Sequence, residues 1–235
     1  KDDWMQQMID GDVEKRTVWA KVLQSRGEMG YPYIFFTDNA NNGAADVYKD
    51  KKLPIYASNL CTEIMLPSNH DWSFVCVLSS INVLHYDKWK DTDAVETMIY
   101  FLDAVITEFL EKLEVYKNSD NRDDQQTFLF MERAYNFSKE NRALGMGVLG
   151  WHSLLQSKML PFDSQGAYDL NSEVFKNIKE HSNKASKHLA EKFGEPELLK
   201  GYGRRNTTLN AVAPTTSSAF IPVSYTHLRA HETET

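Results

Sequence analysis

The spacing of apolar residues divides the chain into long helical stretches separated by short extended ones. Between residues 91 and 114, Val95, Met98, Ile99, Leu102, Ile106 and Leu113 recur at intervals of three and four, which places them on one helical face. Asp93 and Glu96 give that helix an acidic start of the capping-box kind. A second amphipathic helix is predicted over residues 170–193, through Val174, Phe175, Ile178, Ala185 and Leu189. Residues 1–29 mix charges with spaced apolar side chains and predict one or two helices, broken at Gly30. The aromatic run YPYIFF (31–36) predicts a strand, ended by the turn-rich TDNANNGAAD, and residues 74–78 predict a second, buried strand. KNSDNRDDQQ reads as a loop, and NRALGMGVLGWHSLLQSKM as a strand or turn with close-packed glycines running into a helix. GYGRRNTTLNAVAPTTSSAF gives a glycine-arginine turn, a short strand over 209–213 and a hydroxyl-rich loop. Strands alternating with long helices predict an α/β architecture.

Composition narrows the function classes. The 235 residues are 42% hydrophobic and 25% charged, enough to bury a core and ordinary for a globular protein. A formal charge of −7 gives no support to a nucleic-acid-binding surface. No apolar run approaches the roughly 20 residues that span a bilayer, and KDDWMQQMIDGD is no signal peptide. Cys61 and Cys76 are the two thiols, a poor disulfide framework, so a reducing, cytoplasmic compartment is expected. Their spacing fits no zinc signature, and His70, His85, His152, His181 and His188 are scattered, so no metal site is expected.

The candidate chemistry lies in SNLCTEI. If residues 58–64 are extended, Asn59, Cys61 and Glu63 share one face at alternate positions. An amide, a thiol and a carboxylate in one small pocket suit a polyol: the amide holds one hydroxyl, the carboxylate takes a proton, and the sulfur attacks between them. The plain alternative is that Cys61 is a small buried hydrophobe and Glu63 a surface charge. Cys76, in an apolar segment, reads by default as an inert core thiol. Thr215, Thr216, Ser217 and Ser218 could ring a phosphate, particularly if a helix begins there, or could form a solvated turn. Arg204 and Arg205 could help to bind that anion or could be surface charges. The glycine run GMGVLG is a weak signal for a dinucleotide site.

Taken in order, SNLCTEI, CVLSSIN, NRALGMGVLG and GRRNTTLNAVAPTTSS closely resemble the large catalytic subunit family of class I ribonucleotide reductases. FTDNANN and VYKDKKLPIYASNLC resemble it too, so the likeness runs over residues 31–221. The resemblance implies a ten-stranded α/β barrel whose central finger loop carries the reactive cysteine, and reduction of ribonucleotides, diphosphates by preference, to 2′-deoxyribonucleotides. Cys61 matches the cysteine that, as a thiyl radical, removes the ribose 3′ hydrogen. Glu63 matches the carboxylate that takes the 3′-hydroxyl proton, and Asn59, with Ser58 beside it, the group that holds the ribose. Cys76 matches one of two cysteines that supply electrons as the 2′-hydroxyl leaves as water. Thr215 to Ser218 match the substrate-phosphate loop.

No cofactor is expected to bind this chain directly. The resemblance implies a radical from a separate metal-containing small subunit, thioredoxin or glutaredoxin as reductant, and a homodimer at full length. It also implies ATP and dNTP effectors, which bind regions not in this chain. Nor does the chain hold the upstream partner of Cys76, the radical-transfer tyrosines or the C-terminal cysteine pair. Residues 1–221 are therefore expected to be an inactive, aggregation-prone internal piece of the barrel. PVSYTHLRAHETET (222–235) resembles translated adapter sequence and is expected to be foreign and disordered. Two other readings are a cobalamin-dependent reductase, whose motif reads more like NPCGE, and a non-catalytic α/β binding module.

Overall fold

The computed structural model describes residues 3–221, which divide into two compact units, 3–37 and 38–221; the expected foreign tail, 222–235, lies outside the described residues.

In the first unit, α1 (Trp4–Asp10) ends at left-handed Gly11, and α2 (Val13–Met29) starts on an Asp12 side chain that accepts from the Lys15 amide at 3.0 Å. Gly30, φ 78°, closes α2, because a residue without Cβ enters that region freely. The strand expected over 31–36 does not form. A β-rich composition makes a strand only where a ladder partner exists, and no described residue supplies one.

Helix α3 (Thr37–Asn42) starts at the last residue of the first unit and α4 (Asp46–Asp50) follows in the second, so the expected TDNANN turn is helical. Strand β1 (Val77–Asn82) leads through a 3₁₀ turn (Val83–His85) and α5 (Tyr86–Trp89) into α6 (Ala94–Lys117) and α7 (Arg122–Asn141). The expected second strand thus begins three residues late, at Val77. The second half of the expected loop KNSDNRDDQQ is α7: the Asn121 side chain accepts from the Asp123 amide at 2.8 Å, and acidic Asp123 and Asp124 fill its first turn. Strand β2 (Leu144–Leu149), α8 (Trp151–Ser157) and α9 (Gln165–Phe193) follow, then a 3₁₀ turn (Glu197–Leu199) and α10 (Thr216–Ala219).

β1 and β2 run parallel, with Leu78 opposite Gly145 and Ser80 opposite Gly147. A parallel bridge between Met146 and Asn210 adds a third extended segment, all that forms of the strand expected over 209–213. Parallel segments joined through helices are the α/β arrangement expected. Leu144, Met146 and Val148 point into a core with Ile99, Leu102, Ile106, Val174 and Ile178 from α6 and α9. The strand's two-residue period turns Gly145 and Gly147 to the opposite face. GMGVLG has G-x-G-x-x-G spacing, but its first two glycines lie within paired β2 and leave no glycine turn for a pyrophosphate.

Buried polar groups join these layers. Asp93 stands at the N-cap of α6 without a side-chain cap bond. Glu96 faces inward, 2.8 Å from His181 Nδ1 and 3.2 Å from Lys184 Nζ. Asp103 accepts from Arg142 Nε at 2.8 Å, Arg205 Nε at 3.1 Å and Asn206 Nδ2 at 2.9 Å. Arg204 pairs with Asp46 of α4. The two arginines considered for anion binding are thus engaged within the fold.

Candidate active site

SNLCTEI does not run straight. The Thr62 amide donates to the Asn59 carbonyl at 3.2 Å, and the Asn59 amide donates to the Ile64 carbonyl at 3.0 Å. These bonds fold residues 59–64 into a tight reverse turn, with Thr62 in the left-handed region at φ 66°. The expectation of an extended segment with three side chains on one face is therefore corrected. The cause is Asn59, whose side chain braces both limbs of the turn: Oδ1 accepts from the Ile64 amide at 3.0 Å, and Nδ2 donates to Glu63 Oε1 at 2.8 Å. Asn and Asp favour turns because their short polar side chains reach nearby backbone in this way. Cys61 stands exposed at the tip. Ser58, just before the turn, donates to the Asn59 carbonyl at 2.9 Å.

The turn brings Asn59 and Glu63 together and leaves one carboxylate oxygen unused. Glu63 Oε2 is buried and has no hydrogen-bond partner among the described residues. A buried acceptor left unpaired loses about 1–3 kcal/mol of solvation, and such an oxygen is placed to receive an incoming hydroxyl.

Cys76 follows Phe74 and Val75, and all three pack against a cluster containing Tyr48, Ile64, Leu66 and Trp72. Ile64 and Leu66 thus tie the limb leaving the Cys61 turn to the core that seats Cys76. Burial, with the Glu63 carboxylate adding to it, pushes the Cys76 thiol up to about 12. Cys76 therefore holds its proton at neutral pH. Burial also raises Tyr48, whose hydroxyl donates to Thr207 Oγ1 at 2.7 Å and lies 3.1 Å from Asn141 Oδ1.

The hydroxyl-rich loop enters α10. Thr215 is its N-cap, at φ 52°, and its carbonyl accepts from the Ala219 amide at 2.8 Å. Thr216, Ser217 and Ser218 are exposed. Sequence reasoning missed Asp103, Arg142 and Asn206, which hold the strands beside the site. The signal available was a buried-face position occupied by Asp within the α6 heptads.

The model of the ribonucleotide reductase barrel domain matches residues 4–201. This chain belongs to that family. Over 209 residues it is 38% identical to the putative ribonucleoside-diphosphate reductase large subunit of Frog virus 3, covering 89% of this chain and 35% of that protein. The corresponding subunit of Invertebrate iridescent virus 3 is 32% identical over 210 residues, again 89% of this chain but 31% of that protein. Among solved structures, the class Id ribonucleotide reductase alpha subunit of Actinobacillus ureae superposes with a TM-score of 0.81 at 55% identity. That match covers 94% of this chain and 40% of the other. This member of the ribonucleotide reductase family thus spans well under half the length of those relatives. The expected α/β barrel fold stands on that membership, with part of the barrel's sheet present among the described residues.

Proposed function

We propose that residues 1–221 form part of the catalytic barrel of a ribonucleoside-diphosphate reductase large subunit and carry its substrate-reducing groups. The observation that carries this reading is Glu63: Asn59 holds one carboxylate oxygen at 2.8 Å, while the other is buried and unpartnered, two residues from an exposed thiol. Cys61, as a thiyl radical, takes the 3′ hydrogen of the ribose as H•. Glu63 takes the 3′-hydroxyl proton, and Asn59 and Ser58 orient the sugar. The 2′-hydroxyl leaves as water. Cys76 and a second thiol supply two electrons and two protons, becoming a disulfide; Cys61 then returns the 3′ hydrogen and Glu63 the 3′-hydroxyl proton. Thr215, Thr216, Ser217 and Ser218 bind the phosphates, so that binding energy far from the ribose positions the reacting carbon.

The radical comes from a separate metal-containing small subunit. On the same reading the full-length enzyme is a cytoplasmic homodimer, recharged by thioredoxin or glutaredoxin and regulated by ATP and dNTPs. The names of the relatives support the class I, diphosphate reading over the cobalamin-dependent one.

The test is a graft of residues 31–221 into the Actinobacillus ureae alpha subunit, assayed with a small subunit and a dithiol. Deoxynucleotide formation should be retained by the graft and lost in its Cys61→Ser variant, with substrate binding preserved. An undiminished rate in that variant overturns the assignment.

A further inference from the structure

Cys76 meets β2 at a glycine. On the face of β1 turned away from the core formed with α6 and α9, Leu78 sits opposite Gly145 in the parallel register. A Cβ built on Gly145 would lie 2.9 Å from Cys76 Sγ and 3.1 Å from Ala211 Cβ, and inside contact distance of Leu78 Cδ2. Three side chains, two from the β1 segment and one from the segment at Ala211, thus close over one bare Cα.

The three neighbours would not yield equally to a new methyl. Leu78 is 40% exposed, so its terminal methyl can rotate into open space at little cost. Ala211 Cβ is fixed to a backbone whose amide donates to the Met146 carbonyl at 3.2 Å. The Cys76 sulfur hangs on a single rotatable bond within a packed cluster, and a van der Waals overlap there is relieved by moving the sulfur.

We propose that Gly145 is a positioning residue for Cys76: the absent side chain on β2 sets where the thiol rests, and any Cβ there displaces it. This rests on the role given to Cys76 above, because displacing an inert core thiol would have no catalytic consequence. Glu63 and Tyr48 are the titratable groups within electrostatic reach of the sulfur, so movement changes both its burial and its exposure to the Glu63 charge.

The experiment uses this chain and follows alkylation of Cys76 by iodoacetamide against pH, read by mass spectrometry of the Cys76 peptide. In Gly145→Ala the profile should move to lower pH; a one-unit move makes the rate at fixed pH about tenfold faster. Leu78→Ala alone should leave the profile unchanged, and Gly145→Ala/Leu78→Ala should keep the shifted one. The double variant also removes the worst overlap, so a failure of Gly145→Ala to fold does not end the test. A wild-type profile in the double variant overturns the proposal. Turnover of the graft separates this from the reading beneath it: a Cys76→Ser graft with an undiminished rate defeats the role of Cys76, whatever the alkylation profile shows.

Discussion

Arg142 and Asp103 stand 39 positions apart and form a buried ion pair at 2.8 Å, both side chains 5% exposed. Arg142 caps α7 in the left-handed region, and its Nη2 also donates to the Asp103 carbonyl at 2.8 Å and to Thr107 Oγ1 at 2.6 Å. With Arg205 and Asn206 on the same carboxylate, this pair fixes the start of β2 and the segment leading to the hydroxyl-rich loop against α6. Removing one partner leaves the other charge buried without compensation. Asp103→Ala should therefore lower stability by about 3–5 kcal/mol, measured by denaturant unfolding; a loss below about 1 kcal/mol would rule out this role.

Acid should act through the same carboxylate. Burial alone would raise Asp103, but the hydrogen bond and charge of Arg142, with Asn206 and Arg205, hold it below the ordinary carboxylate range. Burial likewise opposes His181 and Lys184 at Glu96, and there too the net direction is down. A carboxyl lowered in the folded state adds stability above its unfolded value, and this is lost as pH falls through the folded value. The melting temperature should hold from neutrality to about pH 5 and then decline, less steeply in Asp103→Asn. A protein that melts higher as it is acidified contradicts this.

Thr62 holds φ 66° in the turn that carries Cys61. A β-branched residue in the left-handed region costs roughly 1–2 kcal/mol, against about 0.5–1 kcal/mol of added chain entropy if glycine replaces it. Thr62→Gly should thus stabilise the fold slightly, by no more than about 1 kcal/mol. A clear drop in melting temperature would show that the hydroxyl or methyl of Thr62 makes a contact worth more than the strain.

Asn59→Ala removes the bonds to Glu63 and to the Ile64 amide, each worth about 1 kcal/mol. Hydrogen exchange at Ile64 should accelerate while exchange in the α6 and α9 cores stays unchanged. Equal protection at Ile64 in both proteins would mean that the backbone holds the turn without its asparagine.

The two thiols should part company in a labelling experiment at pH 7. Cys61 is exposed, whereas the Cys76 thiol is pushed up to about 12 by burial and by Glu63. Iodoacetamide should modify Cys61 first, by more than about tenfold in rate; equal rates would place Cys76 at the surface.

Much of this was legible from one-dimensional pattern. The three-and-four spacing along α6 and α9 marked both helices, since a long amphipathic face admits one period only. Gly30 marked the end of α2, and the order of the SNLCTEI, NRALG and GRRN motifs marked the family. What the sequence did not reveal depended on partners distant along the chain. Residues 31–36 have strand composition but no ladder, and the polar start of α7 is helical because Asn121 caps it and the helix then packs on α6.

At the site, the sequence by itself determined the chemistry available: an amide, a thiol, a carboxylate, a second thiol and a row of hydroxyls. Only the tertiary structure decided their arrangement. It folded Asn59 onto Glu63, exposed one sulfur and left the other half-buried over Gly145, and turned Arg204 and Arg205 to carboxylates within the fold. The physical reason is that residue type sets what a group can donate or accept, whereas burial and pairing are set by neighbours that the chain brings together only after it has folded.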